Sequence, residues 1–392
     1  MKNKKILFIP ADVITNEVSR SFYFARFLAK DNELYFLSRL DPQNAFFEKQ
    51  KISKLYTLKC FLLSLFTSIR FSRHPKWGYH VIRVPFMSHM VIHRFIGIER
   101  ALKLARRFNK RQLAAIAKKI KPDLIFYAEG YDLYPSLEGY NCYSDIQDDF
   151  DPGNFRDNNY NLIYSRQNIS NSKLNFVVSR QASKNLGSLY NSQFIYIPNG
   201  VEADSMRNID HADAYELLNS LKLKNKFIIT YIGADAWYNI DLLKELSSIA
   251  YSRDSSIHFL IVGNLQQFNA PNVTFVGPVN KEKSFLYYWI SNMGILLKDS
   301  KGSNFLRNSI PLKIVQYGIL GKSFISPPIV WLEEENFKNV KVISEYNPSN
   351  ILESIIQAKD AKMELYDPAW ELYDWEKIVD EVKEQITKTI SL

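Results

Sequence analysis

Cysteine is almost missing from this sequence: Cys60 and Cys142 are the only two in 392 residues. Two thiols cannot form a disulfide framework or a four-cysteine metal site, which points to a reducing compartment and to stability drawn from packed cores. Long apolar runs are missing as well. The least polar stretch, residues 60–69, is too short to cross a bilayer. The opening residues place lysines before a short apolar run with no small-residue cleavage site after it, so a first β-strand is expected there rather than a leader. Glycine is missing from the turn that follows, Pro10-Ala11-Asp12, which argues against a nicotinamide-binding fingerprint.

Acidic residues are missing from one region. Between residues 50 and 121 there are 17 lysines and arginines and a single acid, Glu99. Residues 1–200 hold 30 Lys+Arg against 16 Asp+Glu (+14) and the remainder 20 against 25 (−5), which together make the formal +9. A patch this basic is expected to meet something anionic. Arg70, Arg73, Lys76, Trp77, Arg83, Phe86 and Arg94 mix cations with aromatic residues, as suits the headgroup layer of an anionic membrane. A solvated basic face over a core helix is the plainer alternative. Nucleic acid ranks third, because no nucleic-acid motif accompanies the charge. His89 and His93 lack the glutamate of a zinc-protease motif, and no metal site is expected.

What is present suffices for two cores: 46% of residues are hydrophobic and 14% aromatic, in a chain about twice the length of a typical domain. Strands are expected at 5–9, 33–38, 122–127, 142–145, 176–179 and 194–198, with a helix at 19–30. Beyond Asn199-Gly200 the composition turns acidic, and strands at 227–232, 258–262, 273–276 and 294–297 alternate with helices such as 242–251. The first three of these strands run into Gly233, Gly263 and Gly277, where backbone could approach a ligand. This alternation predicts an α/β protein with two Rossmann-like doubly wound sheets. Residues 1–198 would form an N-terminal domain carrying the basic region, 199–368 a C-terminal domain, and 369–392, with a helix at 374–386, a tail packing back towards the first.

Two stretches carry candidate chemistry. Asp145, Asp148, Asp149 and Asp151 crowd four carboxylates into seven residues at the end of an expected strand, where ligands of open α/β sheets bind. Mutual repulsion can raise one pKa towards that of a general base; a solvated acidic loop has the same composition. The second stretch is NSIPLKIVQYGILGKSF at 308–324. Pro311 suits the first turn of a helix closed by Gly321, and Lys313 and Gln316 share a face at its N-terminus. Open N–H groups and the positive end of the helix dipole favour phosphate there, with an ammonium adding charge and an amide within reach of a sugar hydroxyl or base. An ordinary amphipathic helix with two solvated polar residues shows the same pattern.

Taken together, IPNGVE at 197–202, Tyr231-Ile232-Gly233, Ile261-Val262-Gly263, Val276-Gly277 and PLKIVQYGILGK at 311–322 resemble the GT-B glycosyltransferases, in which two Rossmann-like domains face a cleft. The resemblance runs from about residue 123 to the C-terminus. The retaining family 4 group carries two glutamates where this sequence has Asn308 and Gln316. The chain is more similar to the xanthan-type inverting glucuronosyltransferases, glycosyltransferase family 70, whose nucleotide-binding Lys-x-x-Gln pair is matched by Lys313 and Gln316. That resemblance implies donor contacts at Asp235, Val279, Lys298 and Leu312 beside Gly233 and Gly277, and a catalytic aspartate matched by Asp148 or Asp149. It also implies metal-independent transfer from a UDP-sugar, with no cofactor beyond the donor, to a lipid-linked or polysaccharide acceptor at the cytoplasmic face of the cell membrane. A retaining GT-B transferase and a non-catalytic adaptor for an anionic membrane are the alternatives.

Overall fold

The computed structural model describes residues 1–10, 19–39, 68–87, 89–128, 134–146, 167–233, 238–298, 310–360 and 366–390. The chain divides into two compact units, Met1–Ile197 with Val379–Leu392, and Pro198–Ile378.

The first unit is built on an eight-stranded sheet. Its strands are β1 (Lys5–Ile9), β2 (Glu33–Arg39), β3 (Arg70–Arg73), β4 (His80–Val84), β5 (Leu124–Ala128), β6 (Cys142–Ile146), β7 (Leu174–Val177) and β8 (Phe194–Tyr196), in the order β3-β4-β2-β1-β5-β6-β7-β8. Neighbours run parallel except β3, which is antiparallel on β4. The central β1 and β5 are buried almost throughout, which is why they read as unbroken apolar runs. Phe8 lies in register with Phe36 on one side and Phe126 on the other. Their rings stack at 5.8 and 5.3 Å, and Phe126 reaches Phe176 at 6.1 Å. A one-residue slip would send each ring to the opposite face, so this ladder pins the register.

The helix Arg20–Leu28 starts at Ser19, whose Oγ accepts from the Phe22 N–H. Arg20 turns inward. It donates to both oxygens of Asp145 at 2.8 Å and to the Ile197 carbonyl at 2.9 Å. Asp145, the described member of the expected carboxylate cluster, is fully buried and ion-paired, and it ties the first helix to β6; Asp148, Asp149 and Asp151 lie outside the described residues. The strand expected at 176–179 ends two residues early, because Ser179 leaves the ladder to cap the helix Arg180–Tyr190, accepting from the Ala182 N–H at 3.0 Å.

The second unit holds β9 (Phe227–Ile232), β10 (Ile257–Val262), β11 (Val273–Gly277), β12 (Met293–Ile295), β13 (Ser323–Ser326) and β14 (Val340–Val342), all parallel, in the order β11-β10-β9-β12-β13-β14. The order reverses between β9 and β12, the place where a doubly wound sheet opens a crevice at its strand C-termini. The helix Leu312–Ile319 joins β12 to β13. Pro311 is its N-cap, one residue before the expected first turn, with φ −66° and ψ 111°. The helix stops at Ile319, and Gly321 (φ 66°) closes it: Gly321 donates to the Gly318 carbonyl and Lys322 to that of Tyr317, both at 2.9 Å. An aromatic box locks this helix in place. Trp370 stacks on Phe337 at 3.6 Å and packs so tightly on Gly318 that a Cβ there would lie 2.2 Å from its ring.

Candidate functional site

Three glycines finish three adjacent strands of the second unit and are stitched together. The Gly233 N–H donates to the Val262 carbonyl at 3.0 Å, and the Gly263 N–H to that of Gly277 at 2.9 Å. Gly263 has φ 143°, and a Cβ on it would lie 2.0 Å from the Gly233 carbonyl oxygen, so only glycine fits. The first turn of the helix Leu312–Ile319 stands on the other side of the crevice. Pro311 gives that turn no side-chain cap. The Ile314 N–H turns back to the Pro311 carbonyl at 2.9 Å, which among the described residues leaves those of Leu312 and Lys313 for an anion.

Lys313 lies between these two features. A Cβ on Gly233 would sit 2.9 Å from its Nζ, and that Nζ is 4.1 Å from the centre of the Tyr231 ring. Desolvation pushes the ammonium down to about 8. Among the described residues it has no carboxylate and no hydrogen-bond acceptor. Gln316, three residues on, accepts at Oε1 from the Tyr288 hydroxyl at 2.5 Å. Burial holds that phenol protonated, so the amide nitrogen is the end of Gln316 turned to other partners. Beneath them Tyr317 donates to the Thr230 carbonyl at 3.2 Å, and its ring meets that of Tyr288 at 5.1 Å. The arrangement can hold an anion against an ammonium and a helix terminus, with an amide one turn away.

Of the other expected donor contacts, Gly277 has φ 85° with open space where a side chain would be. Leu312 is 41% exposed at the start of the helix. Lys298 follows β12, its N–H bonded to the Leu296 carbonyl. Val279 instead packs against the apolar cluster of Ala214, Val262 and Tyr287. Asp235, Asn308, Asp148 and Asp149 lie outside the described residues. Sequence reasoning quoted Tyr231 only as part of a strand motif and missed Tyr288 altogether. Each is an ordinary aromatic in an apolar run, and only the fold brings it to Lys313 and Gln316.

In the first unit Arg70 and Arg73 lie on the exposed edge strand β3, and Lys76 is exposed after it. Trp77 is half-buried, with the Arg26 guanidinium 3.8 Å over its ring and Phe22 edge-on at 6.2 Å. No described helix is long and apolar enough to cross a membrane.

No protein-family model matches this chain, and no curated protein sequence matches it. Solved structures do resemble it. A sucrose-phosphate synthase from Thermosynechococcus elongatus superposes with a TM-score of 0.62 at 14% identity, covering 99% of this chain and 100% of that one. HepE from Anabaena, in complex with UDP and glucose, gives 0.57 at 13% identity over 99% and 100%. WaaG, a glycosyltransferase involved in lipopolysaccharide biosynthesis, gives 0.55 at 12% over 98% and 99%. Likeness at such low identity over whole chains establishes architecture, and with the two sheets described above it means that this chain has the GT-B fold of two Rossmann-like domains.

Proposed function

We propose that this chain is a glycosyltransferase that moves a sugar, glucuronate being the first to test, from a UDP-sugar to a lipid-linked or polysaccharide acceptor in surface-polysaccharide synthesis of the bacterial type. Lys313 carries the reading. A desolvated ammonium in the first turn of a helix without a side-chain cap, held beside Gly233 and the Tyr231 ring, is completed by an anion, and a nucleotide diphosphate is an anion that the crevice of a doubly wound sheet suits. The Anabaena relative in fold was solved with UDP and with UDP-glucose, which supports the choice of uridine.

In this reading the acceptor hydroxyl gives its proton to Asp148 or Asp149 while its oxygen attacks the anomeric carbon. The bond from that carbon to the diphosphate oxygen breaks, and UDP leaves with the electron pair. Lys313 and the helix terminus stabilise the charge that develops on the leaving group, which is the task a metal ion would otherwise perform. Gln316 binds ribose or phosphate, and Lys298 reads a donor carboxylate. Displacement in one step inverts the anomeric centre. The basic first unit would hold the enzyme peripherally on the cytoplasmic membrane face, where a lipid-linked acceptor resides.

Calorimetric titration with UDP, with GDP and ADP as controls, tests the donor site. Saturable binding of UDP alone, weakened roughly tenfold or more by Lys313→Ala, is expected from loss of a charge-assisted contact. A folded protein that binds no nucleotide would overturn the proposal. The anomeric configuration of the product, read by NMR, decides the inverting step.

A further inference from the structure

Two consecutive helices of the first unit, His89–Ile96 and Ile98–Ile120, meet at Gly97, whose φ of 78° lets the chain turn between them. The long helix has a well-anchored inner face. Asn109, fully buried, accepts from the Met87 N–H at 2.9 Å and donates to the Met87 carbonyl at 3.0 Å, while Leu113 and Ile116 join the core under the sheet. Its outer face is different. Arg100, Lys103, Arg107, Arg111 and Lys118 are all exposed and follow one another at intervals of three, four, four and seven, so they form one stripe.

Charge is concentrated here to an unusual degree. Residues 89–121 contain ten lysines and arginines and one acid, a net +9 that equals the formal charge of the entire chain. The acid, Glu99, is itself paired with Lys103 at 2.8 Å. Large apolar side chains stand at the head of this stripe. Phe95 is 81% exposed, Ile96 39% and Leu104 47%, all at or within two turns of the helix–helix corner. At the far end, about 35 Å along the helix by its rise per residue, the Lys119 ammonium lies 4.2 Å from the ring of Phe71 on β3, between Arg70 and Arg73.

We propose that this face lies on an anionic lipid bilayer, with Phe95, Ile96 and Leu104 inserted at the acyl boundary and the cationic stripe laid along the headgroups. The inference rests on the membrane attachment proposed above and assigns it a surface. A solvated basic face has no use for a phenylalanine left four-fifths in water, and a nucleic-acid duplex would be met by the charges alone. An interfacial helix needs both features on one side. Of the two aromatic residues that the sequence offered beside the cations, Trp77 is half-covered by Arg26 and Phe86 is fully buried in the core, so the exposed anchor is Phe95.

The full-length protein is tested by co-sedimentation with phosphatidylcholine vesicles, with and without phosphatidylglycerol, over a range of salt. Binding only to the anionic vesicles is expected. The double variant Phe95→Ser/Leu104→Ser should bind them roughly tenfold more weakly at every salt concentration, because its loss is apolar. The triple variant Arg100→Gln/Arg107→Gln/Arg111→Gln should bind weakly with a flattened salt dependence. Both alter exposed positions, so melting temperature and UDP affinity should match the wild type. Wild-type binding left unchanged by both variants would remove this face as the contact while leaving attachment itself intact. Absence of binding to either vesicle would overturn the attachment as well. Binding to duplex DNA as tight as to vesicles, with the Phe95 variant unaffected, would make the stripe a nucleic-acid face and also end the proposal.

Discussion

Among the described residues Lys313 meets a ring and no carboxylate. The Tyr231 face attracts the ammonium without neutralising it, so its charge stays available to a ligand. An aspartate in the same place would hold the lysine more firmly and repel a diphosphate. The consequence shows in pH. Desolvation lowers Lys313 to about 8, so the ammonium is charged below that value and loses its proton as pH rises through it. In the proposed donor site it is the charged form that binds UDP. Its affinity is therefore expected to be level below about 8 and to fall about tenfold per pH unit above, until the pH reaches the higher pKa that the bound diphosphate induces. Titrations on either side of that value check this, and Lys313→Arg, whose guanidinium stays charged, should bind with a flat profile. A wild-type profile as flat as that of the variant would mean that this lysine does not face the phosphates.

At the scale of the element, the glycines that end β9 and β10 look alike in sequence but are constrained differently. Gly263 abuts backbone: a Cβ there would lie 2.0 Å from the Gly233 carbonyl oxygen, and its φ of 143° is one that side chains disfavour. A Cβ on Gly233 would meet the movable end of Lys313 at 2.9 Å and the hydroxyl edge of the Tyr231 ring at 3.1 and 3.3 Å, with no backbone that close. Gly263→Ala is thus expected to lower stability by several kcal/mol, at least about 2, and to be visible in a denaturant melt. Gly233→Ala should cost less stability than Gly263→Ala yet bind UDP poorly, because the ammonium must swing away and the Tyr231 ring must give by a few tenths of an ångström. Equal melting behaviour in the two variants would contradict this division. Much at this scale was legible in the sequence. The buried strands announce themselves as apolar runs, three of them running into glycine at 233, 263 and 277, and the helix Leu312–Ile319 by Pro311, Lys313 and Gly321. What stayed hidden depends on local competition or distant pairing. Ser179 left a strand to cap a helix, Asp145 found Arg20 across the fold, and Tyr231 came under Lys313 only through the order of the sheet.

For the whole molecule, charge is distributed unequally between the units: Met1–Ile197 with Val379–Leu392 carries 32 Lys+Arg against 19 Asp+Glu (+13), and Pro198–Ile378 18 against 22 (−4). The described chain ends in the first unit: the helix Trp375–Ile390 passes from Pro198–Ile378 into the unit that begins at Met1. There Val379, Val382 and Ile386 are fully buried, Lys383 bridges to Asp31 at 2.7 Å, and Thr389 meets the Tyr143 hydroxyl at 3.0 Å. Residues 379–390 thus pack into the first unit through Val379, Val382 and Ile386, while the described residues of the proposed donor site, Gly233, Lys313 and Gln316, belong to the second. A charge set into that strip should separate the two in stability. Val382→Asp would bury an unpaired carboxylate and cost the first unit at least about 3 kcal/mol. In a calorimetric scan one transition is expected to move down by many degrees, while the transition that UDP stabilises keeps its position and its response to ligand concentration. Were UDP binding lost together with the first unit, or were a single transition to move as a whole, the donor site would depend on the first unit and the independence argued for the second would fail.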